Sequence, residues 1–406
     1  MRRYTDISLR GRNSFGIDAR AAALIEFASA DDLRALYAAG FFGAGDGEAG
    51  AKNGSARVEA ASGPRLADRS AQPAVVGEWR VLGGGNNILF TRDYPGTLLH
   101  PVGSGIRITH EAGDAVDVRA EAGADWDGFV EWCVERGLWG AENLSYIPGT
   151  VGAAPVQNIG AYGAEAGDII TSVEIFSVAD GGLRTLSAHE CGFGYRESVF
   201  KGALRGKAII TAVNFHLSRE ARPSLNYGDL RSEVERLVGG TVGERLRSTG
   251  RRPGREECSL NQPEPTDLSA QPVEVAEGPT LRNIRDAVIA IRRRKLPDPA
   301  ETGNAGSFFK NPVPRVDIYE KLRRAHPGMP SHPSLRGLKI PAAWLIELCG
   351  WKGYRGERVG VHSRQPLVLV NLGGATGAEV IELARTIQQD VREKTGVRLA
   401  IEVNIL

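Results

Sequence analysis

The segment Asn143–Gly163 constrains the chain more than any other. Glycines at 149, 152, 160 and 163 and prolines at 148 and 155 break both the helical and the strand period, so the stretch cannot serve as ordinary core. Its small residues let a flat ligand lie against the main chain, while Asn143, Ser145, Gln157 and Asn158 offer directional hydrogen bonds. The bland alternative is a long structural loop.

A second Gly-rich stretch, Gly83-Gly84-Gly85-Asn86-Asn87, sits between the strand-like runs 79–82 and 88–90. Bare backbone there can offer N–H groups to a phosphate. No helix follows it and no Gly-Lys-Ser/Thr completes it, which excludes the Rossmann and P-loop fingerprints. On its own it reads equally well as a plain hairpin turn.

Around these loops the first half alternates short β-rich runs, 79–82, 88–90, 96–99, 106–109, 115–121, 172–178 and 208–217, with one helix over 125–136 that Gly137 stops. The second half turns helical. The spacing predicts a helix over 281–295 capped by Thr280, another over 378–394 ended by Gly396, and a terminal strand over 397–406. The fold class is therefore α+β, and 406 residues exceed what one core organises. We divide the chain into residues 1–220 and 221–406. Two Gly-, Ser-, Pro- and charge-rich stretches, 43–76 and 239–279, read as inserted loops.

Composition narrows the function class. The 50 Lys and Arg nearly balance the 49 Asp and Glu, so no global field points to nucleic acid or a membrane surface. Cys133, Cys191, Cys258 and Cys349 are widely separated and have no His placed to complete a metal site, which suits reduced thiols in a cytosol. The basic start, Met1 to Arg12, lacks the apolar core of a signal peptide. A soluble, cytoplasmic protein is expected, with no metal.

Four further positions could carry chemistry. Arg196, in Gly194–Ser198, could clamp a carboxylate, although a surface pair with Glu197 explains those residues as well. Ser307 lies between Gly306 and the rings of Phe308 and Phe309, which predicts a half-desolvated hydroxyl. Lys295 closes a basic run suited to a diphosphate. Glu402, on the face of the last strand opposite Ile401 and Val403, is expected to meet solvent.

Taken together, the 83–87 turn, the 143–163 segment, Gly194–Ser198, Gly303–Pro312, Ala343–Ile346, Gly360–His362 with Gln365–Asn371, and Glu402 resemble the MurB family of UDP-N-acetylenolpyruvoylglucosamine reductases. The resemblance covers nearly the whole chain outside the insertions. It implies a PCMH-type, vanillyl-alcohol-oxidase-like FAD-binding domain followed by an α+β substrate-binding domain, with the last strand, 397–406, returning toward the FAD region. FAD would be held non-covalently by Gly83, Gly84, Gly85, Asn86, Asn87, Ser145, Ile147, Pro148, Gly149, Gly152, Asn158, Gly160, Ala161 and Tyr162. NADPH would be the co-substrate. The reaction implied is reduction of UDP-N-acetylglucosamine enolpyruvate to UDP-N-acetylmuramate in peptidoglycan-precursor synthesis.

By the same resemblance Ser307 donates the proton, and Arg196 and Glu402 hold the carboxylate of the enolic intermediate. Tyr227, Lys295, Asn311 and Gln365 match substrate contacts. Asn86 stands where the family most often has serine, and His332 lies near a position where some relatives carry tyrosine. The expected partner is the small-molecule nucleotide sugar, and the expected state a monomer. The rival is another flavin oxidoreductase on the same scaffold, acting on a hydroxy acid or alcohol.

Overall fold

The computed structural model describes residues 1–43, 78–239, 278–334 and 337–406. Nearly all of both inserted stretches, and Cys258 with them, lie outside the described residues.

Two sheets frame the first half. Arg2–Ser8, Arg20–Phe27, Tyr94–Pro101 and Trp79–Val81 form one in that order, antiparallel at its first pair and parallel beyond it. The other is antiparallel throughout, ordered Leu183–Ser187, Ile170–Ser177, Ala208–Ser218, Ala115–Glu121, Ile106–Ala112. Ala115–Glu121 shows why that sheet has an inner face, since alternate residues Val116, Val118 and Ala120 are buried. The helix Trp126–Glu135 packs there, with the Phe129 ring stacked 4.4 Å from that of Phe215. Asp125 Oδ1 starts it by accepting from Gly128 N at 2.7 Å, and Gly137, at φ +69°, lets the chain turn away.

The two long helices of the second half have clear local causes. Reciprocal side-chain caps, Thr280 with Asn283 and Thr376 with Glu379, start Leu281–Lys295 and Gly377–Thr395. The first buries Ile284, Ala287, Val288 and Ile291 and the second Val380, Leu383, Ala384, Ile387 and Val391. They go to different places. Leu281–Lys295 and Leu230–Val238 join the hydrophobic cluster of the antiparallel sheet. Gly377–Thr395 joins a cluster that mixes residues 9–24 and 82–98 with residues 308–403. These two clusters therefore do not part at residue 220, since each draws on both halves of the chain, while a third, smaller one built on Ile25, Leu33, Leu99 and Phe176 stays within the first.

Three expectations change. The Arg2–Ser8 and Arg20–Phe27 strands and the helix Ala30–Ala38 carry no strong local period and were not foreseen. The Gly83–Asn87 turn is not a hairpin, because the strand before it pairs with Tyr94–Pro101 and Ile88–Leu89 after it pairs with Asn404–Ile405. The terminal strand over 397–406 shortens to Asn404–Ile405, since the segment changes partner. Lys310 N and Glu402 N bond Ala400 O and Phe308 O at 2.9 and 2.8 Å, and then Asn404 N bonds Asn87 O at 3.0 Å. Its return toward the Gly-rich turn is thus a hydrogen-bonded one. Among the described residues no helix is long and apolar enough to cross a membrane.

Candidate active site

The two Gly-rich stretches lie back to back and wall a cavity of about 300 Å³. A Cβ on Gly84 would collide with Asn86 Oδ1 and stand 3.0 Å from Gly149 Cα, so this approach requires glycine. Gly83, Gly84, Gly85, Asn86, Asn87, Pro148, Gly149 and Gly152 line the cavity. Ser145, Ile147, Asn158, Gly160, Ala161 and Tyr162 are not in its lining. Ser145 is buried, its Oγ donating to Glu142 O at 2.6 Å, and Ile147 packs on the core. Asn158 links Glu165, Gly167 and Gly194, which fixes the loop that carries Arg196.

The wall also holds Gln157, named above as a hydrogen-bonding side chain, and residues that the sequence reading left out, among them Arg80, Thr150, Lys201, Asn404 and Leu406. Asn87 Nδ2 donates to Gln157 Oε1 at 2.5 Å, tying one Gly-rich stretch to the other. Thr150 Oγ1 and Arg80 Nε are buried with no hydrogen-bond partner among the described residues. Bare main chain at a turn, orphaned donors and cationic side chains together fit the phosphates and polar ring edges of a dinucleotide.

Beside the cavity stands Arg196. Gly194 and Glu197 exchange main-chain hydrogen bonds at 3.0 and 3.1 Å, closing a tight turn that holds Arg196 at φ +57°. That conformation costs a non-glycine residue on the order of 1 kcal/mol or more and is over-determined by its side chain. Nε donates to Glu402 Oε1 at 2.9 Å, Nη1 to Asn158 O at 3.3 Å and Nη2 to Gly160 O at 3.0 Å. The surface pair with adjacent Glu197 is not formed, because Glu197 takes Lys310 Nζ at 2.8 Å. Glu402 is not solvent-facing either: its side chain is 10 % exposed and that of Arg196 20 %. Its partner 206 residues away outweighs the strand-face expectation.

Ser307 is tied to this pair through the backbone of the next residue, Phe308. Phe308 O accepts from Glu402 N at 2.8 Å, and Phe308 N donates to Leu367 O at 2.8 Å. Ser307 itself is exposed, not half-desolvated, because Gly306, at φ +64°, precedes it in the turn while Phe308 and Phe309 alone go inward.

The expected substrate residues fall around this centre in two groups. Asn311 Oδ1 accepts from Ala342 N at 2.9 Å, and Gln365 Oε1 accepts weakly from Leu367 N at 3.5 Å. On the other side Tyr227 is 57 % exposed and meets the Tyr162 ring edge-on at 6.4 Å. Lys295 Nζ donates to Asp229 Oδ2 at 2.8 Å, which holds the Asp229 carboxyl below its usual range. Burial pushes the Tyr162 phenol up, against the pull of Arg292 and Arg294. His332, at the start of a short hairpin, is exposed and pairs in register with Lys339.

Comparison with known proteins agrees with this geometry. Residues 298–406 match the family model described as UDP-N-acetylenolpyruvoylglucosamine reductase, C-terminal domain, and residues 77–187 match a FAD binding domain. The chain is 42 % identical to a UDP-N-acetylenolpyruvoylglucosamine reductase of Chromobacterium violaceum, over 99 % of this chain and 98 % of that protein. It is 41 % identical to that of Pseudomonas aeruginosa, over 98 % of this chain and 97 % of the relative. Among solved structures, the UDP-N-acetylenolpyruvylglucosamine reductase of Thermus caldophilus superposes with a TM-score of 0.57 at 20 % identity, covering 100 % of this chain and 99 % of that one, a likeness of fold.

Proposed function

The chain belongs to the UDP-N-acetylenolpyruvoylglucosamine reductase family, and on that premise we propose that Arg196, Glu402 and Ser307 carry the second half of a flavin-mediated reduction. The protein is a UDP-N-acetylmuramate dehydrogenase, reducing UDP-N-acetylglucosamine enolpyruvate with NADPH through FAD. The rival reading, an oxidase of a hydroxy acid or alcohol, has no support from these relatives.

The glycine-walled cavity would hold FAD, which when bound would supply a hydride drawn from NADPH. Backbone of 83–87 and 149–152, with Thr150 Oγ1, is suited to hold its diphosphate. Hydride arriving at the terminal enolpyruvyl carbon leaves negative charge delocalised into the adjoining carboxylate. Arg196 meets that charge with the N–H groups not already given to Glu402, Asn158 and Gly160. Because those three bonds fix the guanidinium in advance, little reorganisation accompanies the charge. Glu402 holds Arg196 in place through its carboxylate.

Ser307 gives its proton to the remaining carbon. A hydroxyl is a weak acid, and the strongly basic enolate carbon makes the transfer feasible. Its exposure lets the proton be replaced from solvent. Lys295, Tyr227, Asn311 and Gln365 are placed to receive the nucleotide-sugar, with Lys295 exchanging Asp229 for a phosphate. A division into FAD-binding 1–220 and substrate-binding 221–406 parts, a monomeric state and a cytoplasmic location complete the proposal; the buried, unbridged Cys133, Cys191 and Cys349 support the last.

The observation that carries the reading is the half-buried Arg196–Glu402 pair beside the glycine-walled cavity. The test is anaerobic: NADPH bleaches the yellow holoprotein, and the enolpyruvyl nucleotide sugar then restores its colour. Protein that bleaches but does not recolour contradicts the substrate assignment.

A further inference from the structure

Cationic side chains crowd the point where the cavity meets the Arg196–Glu402 pair, and they are unevenly paired. Arg196 is matched to Glu402 at 2.9 Å and Lys310 to Glu197 at 2.8 Å. Lys201 differs. It lines the cavity, is half-buried, and donates from Nζ to the main-chain oxygen of Arg196 at 3.5 Å. Among the described residues no carboxylate lies within ion-pair distance of it. Burial, followed by repulsion from Lys310, pushes its pKa below the ordinary lysine range, against the pull of Glu197 and Glu402. The other cations of the lining are placed otherwise, Arg80 paired with Glu78 and Arg205 exposed.

A half-desolvated ammonium held beside two other cations and touching no carboxylate is unfavourable unless negative charge arrives next to it. The cavity is the direction left open. Phosphate is one anion that could enter, but the glycine backbone, Thr150 Oγ1 and Arg80 Nε already suit a diphosphate, and Lys201 stands at the Arg196 end, where the reaction occurs.

We infer that Lys201 sets the reduction potential of the FAD ring by placing its ammonium beside the negative charge that the ring carries once reduced. The inference rests on the reading above. A hydride from NADPH brings two electrons and one proton, so the neutral oxidised ring becomes an anion unless a second proton follows. Charge near the ring nitrogens is a means by which a protein tunes a flavin. On reduction Lys201 would gain the counter-ion it lacks in the chain, whereas the oxidised ring offers it none.

The experiment measures the midpoint potential of the full-length holoprotein against reference dyes, together with the affinity for oxidised FAD, in wild type and in Lys201→Met, Lys201→Gln and Lys201→Arg. Lys201→Met and Lys201→Gln should lower the potential by about 30 mV, a tenfold weaker hold on reduced relative to oxidised FAD. Oxidised FAD should bind within about threefold of wild type, and Lys201→Arg should restore most of the potential. An unchanged potential overturns the inference. So does an equal loss of affinity for both redox forms, which would make Lys201 a phosphate contact. Lys201→Gln and Lys201→Arg keep the test open should Lys201→Met fail to fold. A wild-type protein that binds no FAD would instead sink the functional reading itself.

Discussion

The Arg196–Glu402 pair admits a prediction with numbers. The two side chains, 20 % and 10 % exposed, meet at 2.9 Å. Unit charges about 4 Å apart attract by about 4 kcal/mol at an effective dielectric near 20, and desolvation of both groups offsets much of that. What the pair contributes is chiefly the orientation of the guanidinium. Glu402→Gln retains an acceptor for Arg196 Nε but removes its charge, so a charge-assisted hydrogen bond becomes an ordinary one. The loss should be about 1–1.5 kcal/mol in the substrate half-reaction, a slowing of about 5- to 12-fold. Arg196→Lys keeps the charge but has one head group in place of a planar fork, and cannot reach Glu402, Asn158 O and Gly160 O together. The assay is anaerobic single turnover, following bleaching by NADPH and recolouring by substrate separately. Both variants should bleach within about threefold of wild type and recolour slowly, and the double variant should show a coupling energy of about 1–3 kcal/mol. Single effects that add to within about 0.5 kcal/mol would refute the claim that the two residues act as one unit.

Three further outcomes follow from the geometry. Gly84→Ala puts a methyl against Asn86 Oδ1 and 3.0 Å from Gly149 Cα, so FAD affinity, followed by fluorescence titration, should fall at least about tenfold; retained affinity would mean that the wall yields. Thr150→Val removes a hydroxyl that bonds nothing among the described residues, so apo-protein stability should hold while FAD binding weakens about fivefold, about 1 kcal/mol. Arg119 grips Glu174 with two 2.8 Å bonds and holds its carboxyl below the usual carboxylate range. The folded value lies under the unfolded one, so this contribution is complete above the unfolded value and fades as pH falls through the folded one. Denaturant midpoints taken from about pH 6 to pH 3 should therefore decline less steeply in Glu174→Gln than in wild type.

Local signals were readable where local chemistry decides. Asp125, Thr280 and Thr376 start helices because their side chains satisfy amides one turn on, and Gly137 and Gly396 end them because the chain turns left-handed there. The inner face of Ala115–Glu121 follows from its period of two. Where distant pairing decides, local reading failed. Arg2–Ser8 has no buried face of its own and exists through its ladder with Arg20–Phe27. The last residues switch partners at Val403, which no alternation announces. At the site, Arg196 and Glu197 are neighbours in sequence yet bond different partners, and Glu402 gains its meaning only from Arg196. Their grouping was reached through family resemblance rather than local spacing. Thr150 and Gln157 lie within the Asn143–Gly163 segment singled out at the start, but an aperiodic loop does not tell which of its side chains face a ligand.

The central claim is that Ser307 supplies the proton in an assembly with Arg196 and Glu402, and Ser307→Ala tests it most directly. Ser307 is exposed and its side chain makes no hydrogen bond among the described residues, so the variant should fold and bind FAD as wild type does. Single-turnover measurement should then show bleaching by NADPH within about threefold of wild type and recolouring by the enolpyruvyl nucleotide sugar slowed at least about a hundredfold. Recolouring at the wild-type rate, or equal slowing of both halves, would contradict the account.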